Sequence, residues 1–140
     1  VADYGFTWRG REFMSDVADA LRAALVELGN RAIEHMHHAM ETTPPKLGAK
    51  PRRGQYRPPS APGHAPAVQT GTLFTSLAMD TSELDDPDTP TVRVGPMPTA
   101  PYGLWLERGT ETVEPRPFLR PALRYIEQIA DEAIEGSVHA

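Results

Sequence analysis

The side chains able to do chemistry fall into four groups. His35, His37 and His38 sit close together, and positions 35 and 38 are three apart, the spacing at which two imidazoles share one face of a helix. The chain has no cysteine, so a zinc ion would have to find its remaining ligands among residues such as Glu34, Glu41 or His64. A solvated or interfacial histidine cluster fits the same pattern without further ligands. Ser60 and Ser76 are the available hydroxyl nucleophiles, but no nucleophile-elbow sequence surrounds either of them. Gly63, Gly71 and Gly109 are single turn glycines and do not form a phosphate cradle. Glu107, beside Gly109-Thr110, has the look of a catalytic acid, yet a carboxylate there is expected to pair with Arg116 or with a neighbouring subunit. No catalytic residue, cofactor or metal is therefore expected. The fourth group is basic: Lys46, Lys50, Arg52, Arg53 and Arg57, with Tyr56 among them and no acid between Pro44 and Gln69. Such a run suits contact with a partner protein, or phosphate contact with occasional base stacking.

These groups must be carried by elements, and the hydrophobic periodicity shows where the elements lie. From about Gly10 to Thr43, the residues Phe13, Val17, Leu21, Leu25, Leu28, Ala32, Met36 and Met40 recur every three or four positions, one stripe of an amphipathic helix. Gly29-Asn30 marks a weak point where a kink or break is expected, because a mid-helix glycine costs about 1 kcal/mol relative to alanine. Thr42-Thr43-Pro44-Pro45 ends the helix. The next 26 positions, 44–69, hold seven prolines and almost no large aliphatic side chain. The segment cannot bury a core of its own and reads as an extended arm or long loop. Asp80, Glu83, Asp85, Asp86 and Asp88 follow as an acidic turn. The basic and acidic runs are able to attract each other, within a subunit or between copies.

Around residues 70–77, Thr70-Gly71-Thr72-Leu73 and Ser76-Leu77 fit a short helix capped by Thr70 or Thr72, with a strand entering at Leu77 to Asp80 as the other reading. Thr91 to Gly95 alternates and is β-branched, so it predicts a strand. Tyr102 to Thr110 is a short apolar segment, helix or strand, closed by a glycine turn. The last element is a helix opened near Pro117, with Leu119, Ala122, Leu123, Ile126, Ile129, Ala130, Ala133 and Ile134 as its stripe; Pro121 is tolerated only if the helix begins near it. Phe118 is expected to anchor that helix in the core, with Trp105 and Tyr102 as aromatic neighbours. The fold class is α+β: a long N-terminal helix and a C-terminal helix on a small antiparallel sheet, with a long proline-rich basic arm.

The totals agree with that organisation. At 140 residues, 39% hydrophobic and 24% charged, the chain suffices for a single domain, 1–140. Fourteen basic and nineteen acidic residues give a formal charge of -5, a poor overall match for nucleic acid or anionic lipid. The lack of cysteine fits a protein made in a reducing cytoplasm. No window resembles a membrane span, and the first residues lack the basic-then-apolar order of a secretion signal, so a soluble protein without membrane partners is expected.

Three phrases, in this order, resemble one family. The first is Pro62-Gly63-His64-Ala65-Pro66 leading to Thr70-Gly71-Thr72-Leu73 and Ser76-Leu77. The second is Tyr102 with Leu106-Glu107-Arg108-Gly109-Thr110, and the third is Arg116-Pro117-Phe118-Leu119-Arg120-Pro121-Ala122-Leu123. Together they are similar to the small tail-component, or tail-completion, family of HK-type long-tailed phages, over about residues 10 to 135. Arg108 departs from the family pattern, which has an apolar residue there, and so bears on the packing of the glycine turn. The resemblance implies a virion structural protein of the head-tail neck, assembled in the host cytoplasm as a ring of six copies. Its implied neighbours are the head-tail connector (stopper) and the tail terminator or tail tube. A tail terminator that caps the tube is the alternative within the particle. From another class, the alternative is a DNA-contacting accessory protein that works through its basic arm on genome DNA in the channel.

Overall fold

The apolar stripe that begins near residue 10 is realised as one unbroken helix. The computed structural model describes residues 10–97, 100 and 102–139, without the side chains of 10–13, 133, 134 and 136–139. Phe13, Ala133 and Ile134 of the two expected stripes therefore lie outside the described side chains. Helix α1 spans Gly10–Thr42 and helix α4 spans Leu119–His139, packed along each other. Between them in sequence come α2 (Thr72–Ser76), β1 (Leu77–Asp80), β2 (Arg93–Pro96) and α3 (Gly103–Arg108). Strands β1 and β2 form an antiparallel pair in the register Leu77 to Pro96, Ala78 to Gly95, Met79 to Val94 and Asp80 to Arg93. The molecule is α+β, with α1 laid against both strands. Both readings of residues 70–80 hold in succession, a one-turn helix running directly into a strand.

The expected weakness at Gly29-Asn30 does not interrupt α1. Gly29 is instead a point of close approach: a Cβ built there would lie 2.4 Å from the Met79 sulfur and 3.1 Å from Val92 Cγ1. The absent side chain lets the hairpin sit against the helix, and packing outweighs the propensity deficit.

The core gathers at the C-terminal half of α1. Met36, Met40, Leu73, Leu77, Ala100, Phe118 and Ala122 are buried together, with Tyr102, Leu106 and Leu119 partly buried around them. Phe118 is 1% exposed and anchors the start of α4 as expected. Two expectations of burial do not hold. Trp105 is 62% exposed, because α3 turns Leu106 and Glu107 inward and leaves Leu104 and Trp105 outside. Leu123 is 58% exposed at the rim of an open apolar groove bordered by Leu25, Leu28 and Val92, where no described element covers it.

The segment 44–69 does not project. Lys46 donates its backbone N–H to Pro59 O at 2.8 Å and Ala61 to Pro44 O at 3.0 Å, so the two ends of the loop pair across a bridge between Pro45 and Ser60. Tyr56 N–H reaches Gln69 O at 2.7 Å, and the Thr43 hydroxyl donates to Ala65 O at 2.7 Å. Proline removes donors but leaves carbonyls, and these carbonyls and the remaining N–H groups find partners on the loop itself and on the body. Of the two readings of this segment, extended arm or long loop, the described residues form a long loop stapled to the molecule. No helix among the described residues is long and apolar enough to cross a membrane.

Candidate functional site

The three phrases that carry the resemblance meet in the core, where Ala65, Leu73 and Leu77 of the first pack with Tyr102 and Leu106 of the second and Phe118 and Ala122 of the third, and Glu107 joins the second to the third. At the end of α3 its carboxylate is 5% exposed as a residue and receives three backbone N–H groups: Phe118 at 2.6 Å, Leu119 at 2.8 Å and Arg120 at 3.0 Å. A helix begins with N–H groups that have no intrahelical acceptor. Here the N–H groups of Phe118, just before α4, and of Leu119 and Arg120, its first two residues, go to one carboxylate, and the next residue is Pro121, which has no N–H to satisfy. The negative charge also lies at the positive end of the helix dipole. Glu107 thus does not pair with Arg116, as its position suggested, but caps α4. Its one ionic neighbour among the described residues is Arg120, with Nε 4.0 Å away.

Arg116 turns to the other side. Its Nε and one terminal nitrogen donate to Ser60 O at 3.2 and 3.1 Å, and the other terminal nitrogen reaches Glu114 O at 3.3 Å. Its backbone N–H goes to Leu106 O at 2.6 Å. Gly63 N–H meets Pro115 O at 2.9 Å, so the proline-glycine phrase is tied to the residues just before Arg116-Pro117. Gly109 has φ 75° and sits so close to Val113 O and Pro115 that an added Cβ would fall within 2.9 Å of both. Only glycine closes this turn. Thr110 holds it from within, its Oγ1 accepting Thr112 N–H at 3.3 Å and Val113 N–H at 3.0 Å. Arg108 points to solvent and leaves the turn intact. Gly71, with φ 86°, stands at the N-terminus of α2; Thr70 lends no side-chain cap to the helix proper, though its hydroxyl accepts Thr72 N–H at 3.4 Å.

The basic group divides. Lys46, Lys50, Arg52, Arg53 and Tyr56 are exposed, Tyr56 at 78%. Arg57 is not available for a partner, because its guanidinium donates to Met40 O at 3.0 Å, Glu41 O at 2.6 Å and Thr43 O at 2.8 Å. Those are carbonyls at the end of α1, where a cation is favoured by the helix dipole. Sequence reasoning grouped Arg57 with the other cations, and nothing in its type distinguishes it from them.

The acidic turn pairs with the body, not with the basic loop. Asp85 lies 3.5 Å from Arg22 Nε, and Glu83 pairs with Arg93. Asp80 accepts Ser82 N–H at 2.9 Å, and Asp86 accepts Asp88 and Thr89 N–H at 2.9 and 3.1 Å. These backbone donors hold both carboxyls below the usual carboxylate range.

The histidines have separate surroundings. His35 stacks on Tyr125 of α4 with ring centroids 4.8 Å apart, and its Nδ1 is buried without a hydrogen-bond partner among the described residues. Burial, with His38 adding a like charge, pushes the His35 imidazole below its ordinary value. His37 stacks on Phe74 at 4.0 Å and places Nε2 2.9 Å from Phe74 O. His38 is exposed. Among the described residues no group of three or more His, Asp and Glu side chains is arranged to hold a metal ion. Ser76 donates its hydroxyl to Leu73 O at 2.7 Å, and Ser60 Oγ is buried with no partner among the described residues.

Comparison with known proteins finds no family model, no curated protein and no solved structure that matches the chain.

Proposed function

We propose that the protein is a structural subunit of the neck of a tailed phage, or of a prophage-derived particle, that completes the tail and joins it to the head by contact and not by catalysis. The observation that carries this reading is the convergence of the three resembling phrases. Glu107 of the second caps the helix opened by the third, while Gly63 of the first bonds to Pro115 and Ser60, just before the first, accepts from Arg116 of the third. Phrases far apart in sequence act as one structural unit, which is what a shared family scaffold requires. In this reading the subunit forms a homo-oligomeric ring of six copies, located in the virion neck between the connector (stopper) and the tail terminator or tail tube. Closed rings use heterologous contacts, one surface meeting a different one on the next copy, and the exposed cations of the loop and the acidic turn supply two such surfaces.

The exposed cluster of Lys46, Lys50, Arg52, Arg53 and Tyr56 favours a second reading, non-specific contact with genome DNA passing through the channel. Electron microscopy of particles from a phage with this gene disrupted separates the readings. Filled heads beside free tails of normal length are expected. Overlong tails would point to a tail terminator, and intact joined particles would overturn the neck assignment.

A further inference from the structure

Beneath the basic loop lies a groove of about 510 Å3. The loop contributes Arg52, Gln55 and Ser60 to its wall, and residues 70–72 form the opposite side. Two guanidinium-bearing residues, Arg52 and Arg116, line it, and among the described residues no carboxylate does. Ser60 is 1% exposed, and its Oγ is closed off from solvent with no hydrogen-bond partner among the described residues, so the wall beneath the loop is tightly packed there. Arg52 is held by its backbone, whose N–H donates to Gln55 Oε1 at 2.9 Å, while its side chain makes no ion pair with another described residue. A cleft with a cation that has no ion-pair partner among the described residues, and with no negative charge in its described lining, suits a segment bearing carboxylates.

The chain carries such a segment. In the acidic turn the Asp85 side chain is 96% exposed, and Asp88 is also at the surface. The turn is preformed by the Asp80 and Asp86 bonds and by Thr91 N–H on Glu83 O at 3.1 Å, so little ordering is needed on binding. It cannot reach the groove of its own molecule. Its Leu84 carbonyl is fixed to Arg22 Nε at 3.3 Å, whereas the groove is floored by Met40 at the other end of α1. At ~1.5 Å per residue the two places are about 27 Å apart along the helix.

We infer that the groove between the basic loop and the body is the seat for the acidic turn, residues 81–88, of a second copy of this chain. The contact is head-to-tail, since the two surfaces are different, and repetition closes into a ring or runs on as a filament. It takes its biological setting from the proposed neck ring, but its chemistry is testable without a particle.

The test is an NMR titration of the full chain with a synthetic peptide of residues 80–90 at low salt. Amide shifts concentrated at Arg52, Ser60 and residues 70–72 are expected, with affinity falling about tenfold as salt rises from roughly 0.01 to 0.15 M and the screening length shrinks. Arg52→Glu, at an exposed position, should abolish the shifts, as should a peptide carrying Asp85→Asn and Asp88→Asn. No shifts at millimolar peptide, shifts elsewhere, or equal binding by R52E would overturn the inference. A charge exchange guards against a misfolded variant: the R52E chain and a D85K/D88K chain should each fail to self-associate but cross-link to one another when mixed, and cross-linking no better in the mixture than in either alone counts against the contact. Failure of the peptide to bind, with unjoined particles still seen on gene disruption, sinks this contact and leaves the neck assignment standing. Binding at the groove with normal particles does the reverse.

Discussion

Glu107 is the residue on which the local architecture turns. One buried carboxylate accepts the three free N–H groups at the start of α4, and Pro121 removes the need for a fourth acceptor. Glu107→Ala leaves those donors without a partner and is expected to cost about 3 kcal/mol of stability in chemical denaturation. Glu107→Gln, which retains an oxygen acceptor but loses the charge, should cost about half as much. Equal stability of all three proteins would show that the cap contributes nothing. His35 makes a separate prediction. Its folded-state value lies below the ordinary one, so near and below about pH 6.5 the unfolded chain binds the proton more readily than the folded chain. Stability should therefore fall as pH drops from 7 towards 5, and His35→Gln should flatten that slope when melting is followed across the range. Loss from the Asp80 and Asp86 carboxyls belongs to a lower window, below about pH 4, where their depressed values are approached.

At the scale of elements, what was legible in the sequence followed from periodicity. The stripe from Val17 to Met40 and the stripe from Leu119 to Ala130 each recur at the helical spacing, and both helices are present. Periodicity names a face but not what covers it, which is why Leu123 was assigned to the core and lies at an open rim. The partner of Glu107 was not legible because backbone N–H groups are the same in nearly every residue. Arg116 was the visible opposite charge, and the helix end was the actual one. For the same reason the sequence leaves segment 44–69 open between an extended arm and a long loop: its prolines announce that it has no core, while the carbonyls and N–H groups that staple it carry no signature. Arg57 is the chief staple. Arg57→Met should cost about 1 to 2 kcal/mol, given three hydrogen bonds from a charged group that is only half-buried. Hydrogen exchange at Lys46, Tyr56 and Ala61 should quicken while the Met36 region stays protected. Unchanged exchange in the loop would mean that its backbone pairs suffice.

At the scale of the whole molecule, a net charge of -5 conceals a separation of sign along α1. The acidic turn is fastened near Arg22, and the exposed cations sit on the loop that Arg57 fastens to the last turn of the helix. A chain polarised in this way carries the two unlike surfaces that the proposed ring would need. The neck assignment is tested most directly by joining in vitro. Heads and tails from a lysate of the gene-disrupted phage are mixed with the purified protein, and infectious particles are counted. The account predicts that the protein alone restores joined, infectious particles, and that Glu107→Ala restores them poorly at temperatures where its fold is lost. Heads and tails that stay separate with the wild-type protein present, or that join equally well without it, would contradict the account.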